Sequence, residues 1–350
     1  MVSGEIEDGD KECVVRAFEI QDGFGFDALK LTERPRPSPG YGQVLVKLHA
    51  ASLNYRDLLV VKGLYNPRMA LPRIPLSDGA GEVVALGEGV ARVKVGDRVA
   101  GAFMQKWIGG RLTPPKAQSA LGGAIDGVLA EYVVLDQEGV VPVPAHLSYE
   151  EAATLPCAAV TAWDALIEQG NLKAGDTVLV LGTGGVSLFA LQFAKLAGAR
   201  VIVTSSSDEK LERARGLGAS DGINYKEIPD WDKRVRELTG GAGADHVVEV
   251  GGAGTLNKSL GAVRMGGTVS LIGVLAGAGE VNPTYILMKS VRVQGIYVGS
   301  REMFEAMNRA ITLHNSRPVV DRVFPFEEAH KALRYMESGE HFGKICLNFQ

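Results

Sequence analysis

Cysteine is scarce in this 350-residue chain: Cys13, Cys157 and Cys346 are all it has, and they lie far apart. With no CxxC pair a disulfide framework is excluded, and a reducing cytosol is the expected compartment. The six histidines show no ligand spacing. A dominant charge is also missing. Lys and Arg (37) nearly balance Asp and Glu (41), the formal net charge is −4, and no Lys/Arg block occurs. There is no basic field for nucleic acid. No apolar run is long enough to span a bilayer, and the opening MVSGEIEDGDKE is polar and acidic, unlike a secretory signal. The expectation is a soluble cytoplasmic protein that acts on a small molecule, with neither nucleic acid nor membrane as partner.

Glycine, by contrast, is abundant at 44 residues without a collagen-like period, which favours tight turns. A hydrophobic content of 46% over this length suffices for two domain cores. The first part reads as β: CVVRAFEI, QVLVKLHAAS, GAGEVVALG, DRVAGAF and VLAEYVVL are short runs broken by Gly, Pro and Asp. ERPRPSPGYG (33–42) reads as a loop, and the weakly patterned 103–127 as a functional or covering insertion. From about residue 150 the pattern changes. SYEEAATLPCAAVTAWDALIEQG reads as helical, with Ser148 and Glu151 as a capping box. Strands and helices then alternate through VRVQGIYV, the signature of a doubly wound parallel sheet. SREMFEAMNRAI and EEAHKALRYME are amphipathic helices, and KICLNF closes the chain as a strand.

Within that alternation, LGTGGVS (181–187) follows a strand and opens a helix. In that context a G-x-G-x-x-G match means dinucleotide binding. Gly182 permits the turn, Gly184 lets the backbone approach a pyrophosphate, and free N–H groups at the helix start attract the anion. Ser187 replaces the third glycine and brings a hydroxyl that needs a partner. An acid about 20 residues further on would hold the ribose of NAD. Here the strand ends VTSSSDEK, where Ser205, Ser206 and Ser207 precede the first acid, Asp208. Hydroxyls and Lys210 can bind a 2′-phosphate, which favours NADP(H) over NAD(H); the plainer reading is a helix-capping serine run.

Taken in order, GQVLVKLHAASLNYRD, LPRIPLSDGAGEVVALGEGV, VGDRV, TLPCAAVTAWDAL, LGTGGVSLFALQFAKLAGA, GGTVSLIG and HFGKI resemble the medium-chain dehydrogenase/reductase superfamily over nearly the whole chain. The resemblance implies an α/β protein. A GroES-like β-domain would comprise 1–154 and 297–350, and a Rossmann NADP(H)-binding domain 155–296. Many members carry a catalytic zinc held by Cys, His and Cys, but the corresponding positions here are Asn54, Ser77 and Cys157. One cysteine cannot form a zinc site, which takes three protein ligands even when catalytic. The pattern is therefore closer to the zinc-independent quinone reductases of zeta-crystallin type, where Asn stands at position 54 and Tyr follows in a GLY segment like 63–65.

Several roles follow from the resemblance. Thr161 would lie near the nicotinamide carboxamide, and Gly182, Thr183, Gly184, Gly185 and Val186 around the pyrophosphate. Ser205, Lys210 and Tyr225 would contact the 2′-phosphate. Ile272, Gly273 and Val274 would line the nicotinamide ribose. Gly299, Ser300 and Arg301 would close over the cofactor, with Gly343 and Lys344 in the C-terminal cover. A homodimer joined through VRVQGIYV, or a tetramer built from it, is implied. Trp107 is added to the substrate pocket from its place in the insertion.

Without a metal, a developing alkoxide lacks its Lewis acid. Quinones and α,β-unsaturated carbonyls spread the incoming charge and need less help. Asn54 can donate to the resulting oxyanion, and Tyr65 can donate a hydrogen bond or a proton. Plainer roles are a turn residue for Asn54, a pocket wall for Tyr65, a structural pair for Arg56 and Asp57, and a small helix residue for Cys157. Asp78 could orient Arg56 or cap a turn. Three functions remain open: an NADPH-dependent quinone or enone reductase, a zinc-free alcohol dehydrogenase or carbonyl reductase, and a non-catalytic NADP(H)-binding protein.

Overall fold

The computed structural model describes residues 14–273 and 279–349. β1 (Val14–Ile20) and β2 (Leu29–Pro35) form an antiparallel ribbon. The loop expected at 33–42 therefore starts later, because Glu33, Arg34 and Pro35 pair with Arg16, Val15 and Val14. Pro35 is tolerated as the last residue of a strand with one free edge. β3 (Gln43–Ser52) leads into α1 (Tyr55–Val61), then β4 (Asp78–Leu86) and β5 (Arg98–Gly101). The insertion holds one short helix, α2 (Pro114–Ala117), and is followed by β6 (Tyr132–Asp136) and β7 (Val140–Pro142).

The insertion packs into the domain cores rather than forming one of its own. Phe103, Met104, Ala120 and Leu121 are buried, and Met104 bridges Ala120. A reading frame of scattered apolar residues conceals this, since the burial comes from the domain beneath rather than from any local period.

The helical stretch begins with the expected capping box. Ser148 Oγ accepts from the Glu151 N–H (3.2 Å), and the Glu151 carboxylate accepts from the Ser148 N–H (2.8 Å). It is not one regular helix. α3 (Tyr149–Ala153) and α4 (Val160–Trp163) are each followed by a π-helical turn, at Leu155–Ala159 and Asp164–Glu168. Pro156 has no N–H to give to a regular ladder, and widened turns of this kind recur at functional sites.

The α/β part then runs β8 (Thr177–Leu181), α5 (Gly185–Leu196), β9 (Arg200–Ser205), α6 (Asp208–Gly216) and β10 (Asp221–Asn224). It continues with α7 (Trp231–Leu238), β11 (Ala244–Glu249), α8 (Ala253–Ala262), β12 (Val263–Leu271), α9 (Pro283–Met288) and β13 (Arg292–Gly295). All strand pairs are parallel, in the order β10-β9-β8-β11-β12-β13. This is the doubly wound arrangement, and its topological switch point lies between β8 and β11. Val178, Leu179 and Val180 are fully buried because helices cover both faces.

The last part comprises α10 (Arg301–Leu313), β14 (Val320–Pro325), α11 (Ala329–Ser338) and β15 (Lys344–Asn348). β15 pairs antiparallel with β3, and β14 lies beside β15. The chain thus returns to its first sheet, and this return carries residues 339–344 past the glycine loop.

Candidate active site

The glycine loop sits at the switch point, between β8 and α5. Gly182 has φ +71°, and a Cβ at Gly182 or Gly184 would meet no atom within 4 Å. Both therefore face open space, and the first N–H groups of the twelve-residue α5 point out of the helix end. The cradle fits a pyrophosphate, and any side chain at these positions would intrude on it. Ser187 answers the question its hydroxyl raises. Buried in the first turn of α5, it donates to the Leu181 carbonyl at 2.7 Å, so the third glycine position holds a self-satisfied serine. The loop is also tied from outside: the Gly343 N–H donates to the Thr183 carbonyl (2.9 Å).

At the tip of β9 the serine run does cap a helix. Ser207 Oγ accepts from the Lys210 N–H (3.3 Å), and Ser205 Oγ from the Ser207 N–H (3.3 Å). The Lys210 ammonium donates to the carbonyls of Gly339 (2.8 Å) and His341 (3.0 Å). Asp208 accepts from Asn224 Nδ2 (3.0 Å), which holds its carboxylate against β10. Tyr225 follows β10, half exposed, with its N–H on the Ser205 carbonyl.

Asn54 lies at the junction of β3 and α1. Its backbone makes the junction: the N–H donates to Asp57 Oδ2 (2.8 Å) and the carbonyl accepts from the Asp57 N–H (2.8 Å). The carboxamide is thereby left for other work. Its Oδ1 accepts from Lys344 Nζ at 2.7 Å, while its Nδ2 is buried with no hydrogen-bond partner among the described residues. The Asp78 carboxylate lies near enough for Asn54 to favour its ionised form, yet no well-formed hydrogen bond joins it to Nδ2, so the N–H2 keeps a donor for an oxygen entering the site.

Around it stand buried carboxyls. Asp78 accepts from the Ser77 hydroxyl (2.7 Å) and from the Cys157 N–H (3.1 Å), so it orients the π-turn rather than Arg56. Burial raises both Asp78 and Asp57, the latter to about 6. Burial also raises the Cys157 thiol strongly, with Asp78 adding to it, which keeps the sulfur protonated.

Tyr65 opens the other side. Its hydroxyl is 3.0 Å from that of Tyr297, and the Arg56 guanidinium lies over its ring and over Phe103. Arg56 Nη1 donates to the Leu121 carbonyl (2.7 Å) and lies 3.7 Å from Asp57, a structural pairing. Burial and the Tyr65 hydrogen bond raise the Tyr297 phenol, so it stays a donor at neutral pH.

The remaining expected residues divide. Thr161 is buried in α4, one turn past Cys157. Ile272 and Gly273 follow β12 with their N–H groups on the Glu249 carbonyl, and Gly273 runs so close to β11 that a Cβ would fall 1.5 Å from the Val250 oxygen. Val274 lies outside the described residues. Gly299 is packed against Val160, and Ser300 caps α10.

Arg301 and Trp107 are engaged by partners outside the expected site. The Arg301 guanidinium is committed to Glu138 and Glu305, because its N–H begins α10 against the Trp107 carbonyl (2.9 Å) and turns the side chain towards β7. Trp107 itself is in the core, with its indole N–H on the Gly110 carbonyl, rather than facing a cleft.

Two residues escaped the sequence reading. Tyr297 meets Tyr65 across 232 residues, with no local signal. Glu249 was legible as the acid ending VVEVGGAG. It accepts from Gly251, Gly252 and Thr255 and so fills the start of α8 with its own carboxylate.

A zinc ion does not fit these residues. Among the described residues no three His, Cys, Asp or Glu side chains come together to hold a metal. The position-54 donor is an amide whose oxygen is already bound to an ammonium, and a dication beside Lys344 would be repelled.

Residues 40–145 match the alcohol dehydrogenase GroES-like domain family, and 185–312 the zinc-binding dehydrogenase family. A zinc-type alcohol dehydrogenase-like protein of Schizosaccharomyces pombe is 48% identical over 92% of this chain and 96% of its own. A quinone oxidoreductase of Pongo abelii is 29% identical over 91% and 93%. Among solved structures, an NAD-dependent alcohol dehydrogenase is 36% identical, with a TM-score of 0.88 over 96% of this chain and 100% of that one. A 2-octenoyl-CoA carboxylase reductase in complex with NADP and 2-octenoyl-CoA is 28% identical, with a TM-score of 0.83 over 96% and 87%. With the same two domain families along its length and the same fold around a nicotinamide-cofactor loop, the chain belongs to the medium-chain dehydrogenase/reductase superfamily of oxidoreductases.

Proposed function

We propose that this oxidoreductase is a zinc-independent, NADPH-dependent reductase acting on quinones or α,β-unsaturated carbonyls. The observation that carries the reading is the Asn54 carboxamide, buried, with its N–H2 unpartnered where a metal ligand would otherwise stand. When bound, the reduced nicotinamide supplies a hydride. The negative charge then appears on the substrate oxygen, and the Asn54 Nδ2 hydrogens are the donors waiting for it. An enolate or quinolate spreads that charge, so an amide suffices where a simple alkoxide needs a stronger electrophile. Tyr65 supplies the proton that completes the reduction, and Tyr297 hydrogen-bonds its hydroxyl.

NADPH is favoured over NADH in this reading because Ser205, Lys210 and Tyr225 follow one another at the ends of β9 and β10 and the Asp208 carboxylate is engaged by Asn224. The free edge of β13 supports pairing with a second copy as a homodimer. A screen of NADPH and NADH oxidation over quinones, enones, aldehydes and ketones, with metal analysis of the same sample, tests the reading. Quinone or enone turnover, with far less than one zinc per chain, is the expected result. Turnover confined to saturated ketones or alcohols assigns a carbonyl reductase, as the alcohol dehydrogenase relatives suggest. Tight NADPH binding with no acceptor reduced assigns a binding protein.

A further inference from the structure

We infer that Lys344 is the positioning residue of this site: it fixes which end of the Asn54 carboxamide faces the substrate oxygen and lends that end positive charge. The inference rests on the reductase reading above and moves Lys344 from the cofactor cover to the reacting centre.

A carboxamide is nearly symmetric in shape, so only its partners decide which end points where. Lys344 Nζ has donors and no acceptor. Placed 2.7 Å from the Asn54 carboxamide, it can only meet Oδ1, and Nδ2 is turned to the opposite side. A second bond to the Leu53 carbonyl (2.6 Å) holds the ammonium in place. Lys344 is 3% exposed and makes no ion pair among the described residues; its near neighbours Asp57 and Asp78 are carboxyls that burial raises, Asp57 to about 6, and that the ammonium pulls back towards their ionised form. The ammonium spends its hydrogen bonds on two neutral oxygens, the Leu53 carbonyl and Asn54 Oδ1, so its field also favours an anion forming beside Nδ2. In a buried site the bond to Oδ1 polarises the amide and strengthens Nδ2–H as a donor.

The same side chain reaches the cofactor loop. Its Cδ lies 2.4 Å from where a Cβ on Gly185 would be, and the preceding Gly343 is hydrogen-bonded to Thr183. The Gly343 backbone and the Lys344 methylene stem thus face the cradle, and the ammonium alone reaches Asn54; methionine keeps the stem and removes only the ammonium.

Lys344→Met, Lys344→Gln, Asn54→Ala and the Asn54→Ala/Lys344→Met double variant test this with NADPH and 1,2-naphthoquinone. Lys344→Met should lower kcat about 10- to 100-fold while the fluorescence-titrated Kd for NADPH changes less than about threefold. In the Asn54→Ala background the same change should cost less than about threefold, since there is no amide left to position. Lys344→Gln keeps a donor without the charge and should recover part of kcat. A second readout needs no turnover: 4-nitrophenol bound to the NADP complex should ionise at lower pH in the parent than in Lys344→Met or Lys344→Gln. Multiplying kcat losses in the double variant, or a Kd for NADPH rising in step with the kcat loss, overturns the inference. So does a bound phenol whose ionisation ignores residue 344. If Lys344→Met does not fold, Lys344→Gln carries both tests. A parent that reduces no acceptor refutes the reductase reading alone, and the phenol titration still decides Lys344.

Discussion

Lys210→Ala separates two uses of one ammonium. Its Nζ holds the carbonyls of Gly339 and His341 at 2.8 and 3.0 Å, tying α6 to the segment that leads into β15. A 2′-phosphate would offer that ammonium a doubly charged acceptor instead. A hydrogen bond with a charged partner contributes about 1.5–3 kcal/mol. Partial exposure and salt pull this towards the lower end, and the carbonyl bonds given up reduce it further. A net loss near 1.4 kcal/mol is a factor of about ten in Kd. NADPH should therefore bind about tenfold more weakly to Lys210→Ala, and NADH should change less than about twofold. Loss of the two carbonyl bonds should cost the apoprotein about 1 kcal/mol, because both acceptors can turn to water. The assay is fluorescence titration of both cofactors against parent and variant at two salt concentrations. The NADPH difference should shrink at the higher one. Equal weakening of NADPH and NADH would show that Lys210 serves only the backbone. Tighter NADH binding by the parent would show that the serine run is a helix cap and nothing more.

Asn54→Ala should lower turnover by about 2.7–4 kcal/mol in barrier, the cost of losing a central oxyanion donor, with NADPH affinity kept; parental turnover on a good quinone refutes its role. Tyr65→Phe should slow the proton-dependent step and leave NADPH binding intact, read as a changed solvent isotope effect on kcat. Gly273→Ala places a methyl 1.5 Å from the Val250 oxygen, so soluble yield and melting temperature should fall sharply, and an unchanged melting curve would contradict the close approach. Asp57 carries a pKa raised by burial to about 6 from 3.8, so the native state holds its proton more tightly than the unfolded chain. Its contribution to stability is present below about 4 and declines as pH rises to about 6. In urea titrations the parent's margin over Asp57→Asn should shrink across that range; a margin that grows reverses the sign.

Local chemistry sufficed for much of this protein. The capping box at Ser148 and Glu151, the strand–glycine–helix order at 177–196 and the alternation beyond it are encoded within a few residues. Hydrogen bonds and periodicity over one turn or one strand do not need the rest of the chain. The strand–glycine–helix loop at LGTGGVS could therefore be read directly, as could the amide, hydroxyl and thiol at positions 54, 77 and 157.

What the tertiary structure decided was where side chains spend their donors. Sequence cannot show that Trp107 bonds inside its own loop, that Arg301 turns to Glu138, or that Lys210 reaches the 339–341 carbonyls. Nor can it bring Tyr297 to Tyr65, or Lys344 to Asn54 across 290 residues. Lys344 meets Asn54 because β15 returns to lie beside β3 and passes the glycine loop on its way. A long polar side chain has several acceptors within reach, and burial, not composition, selects among them.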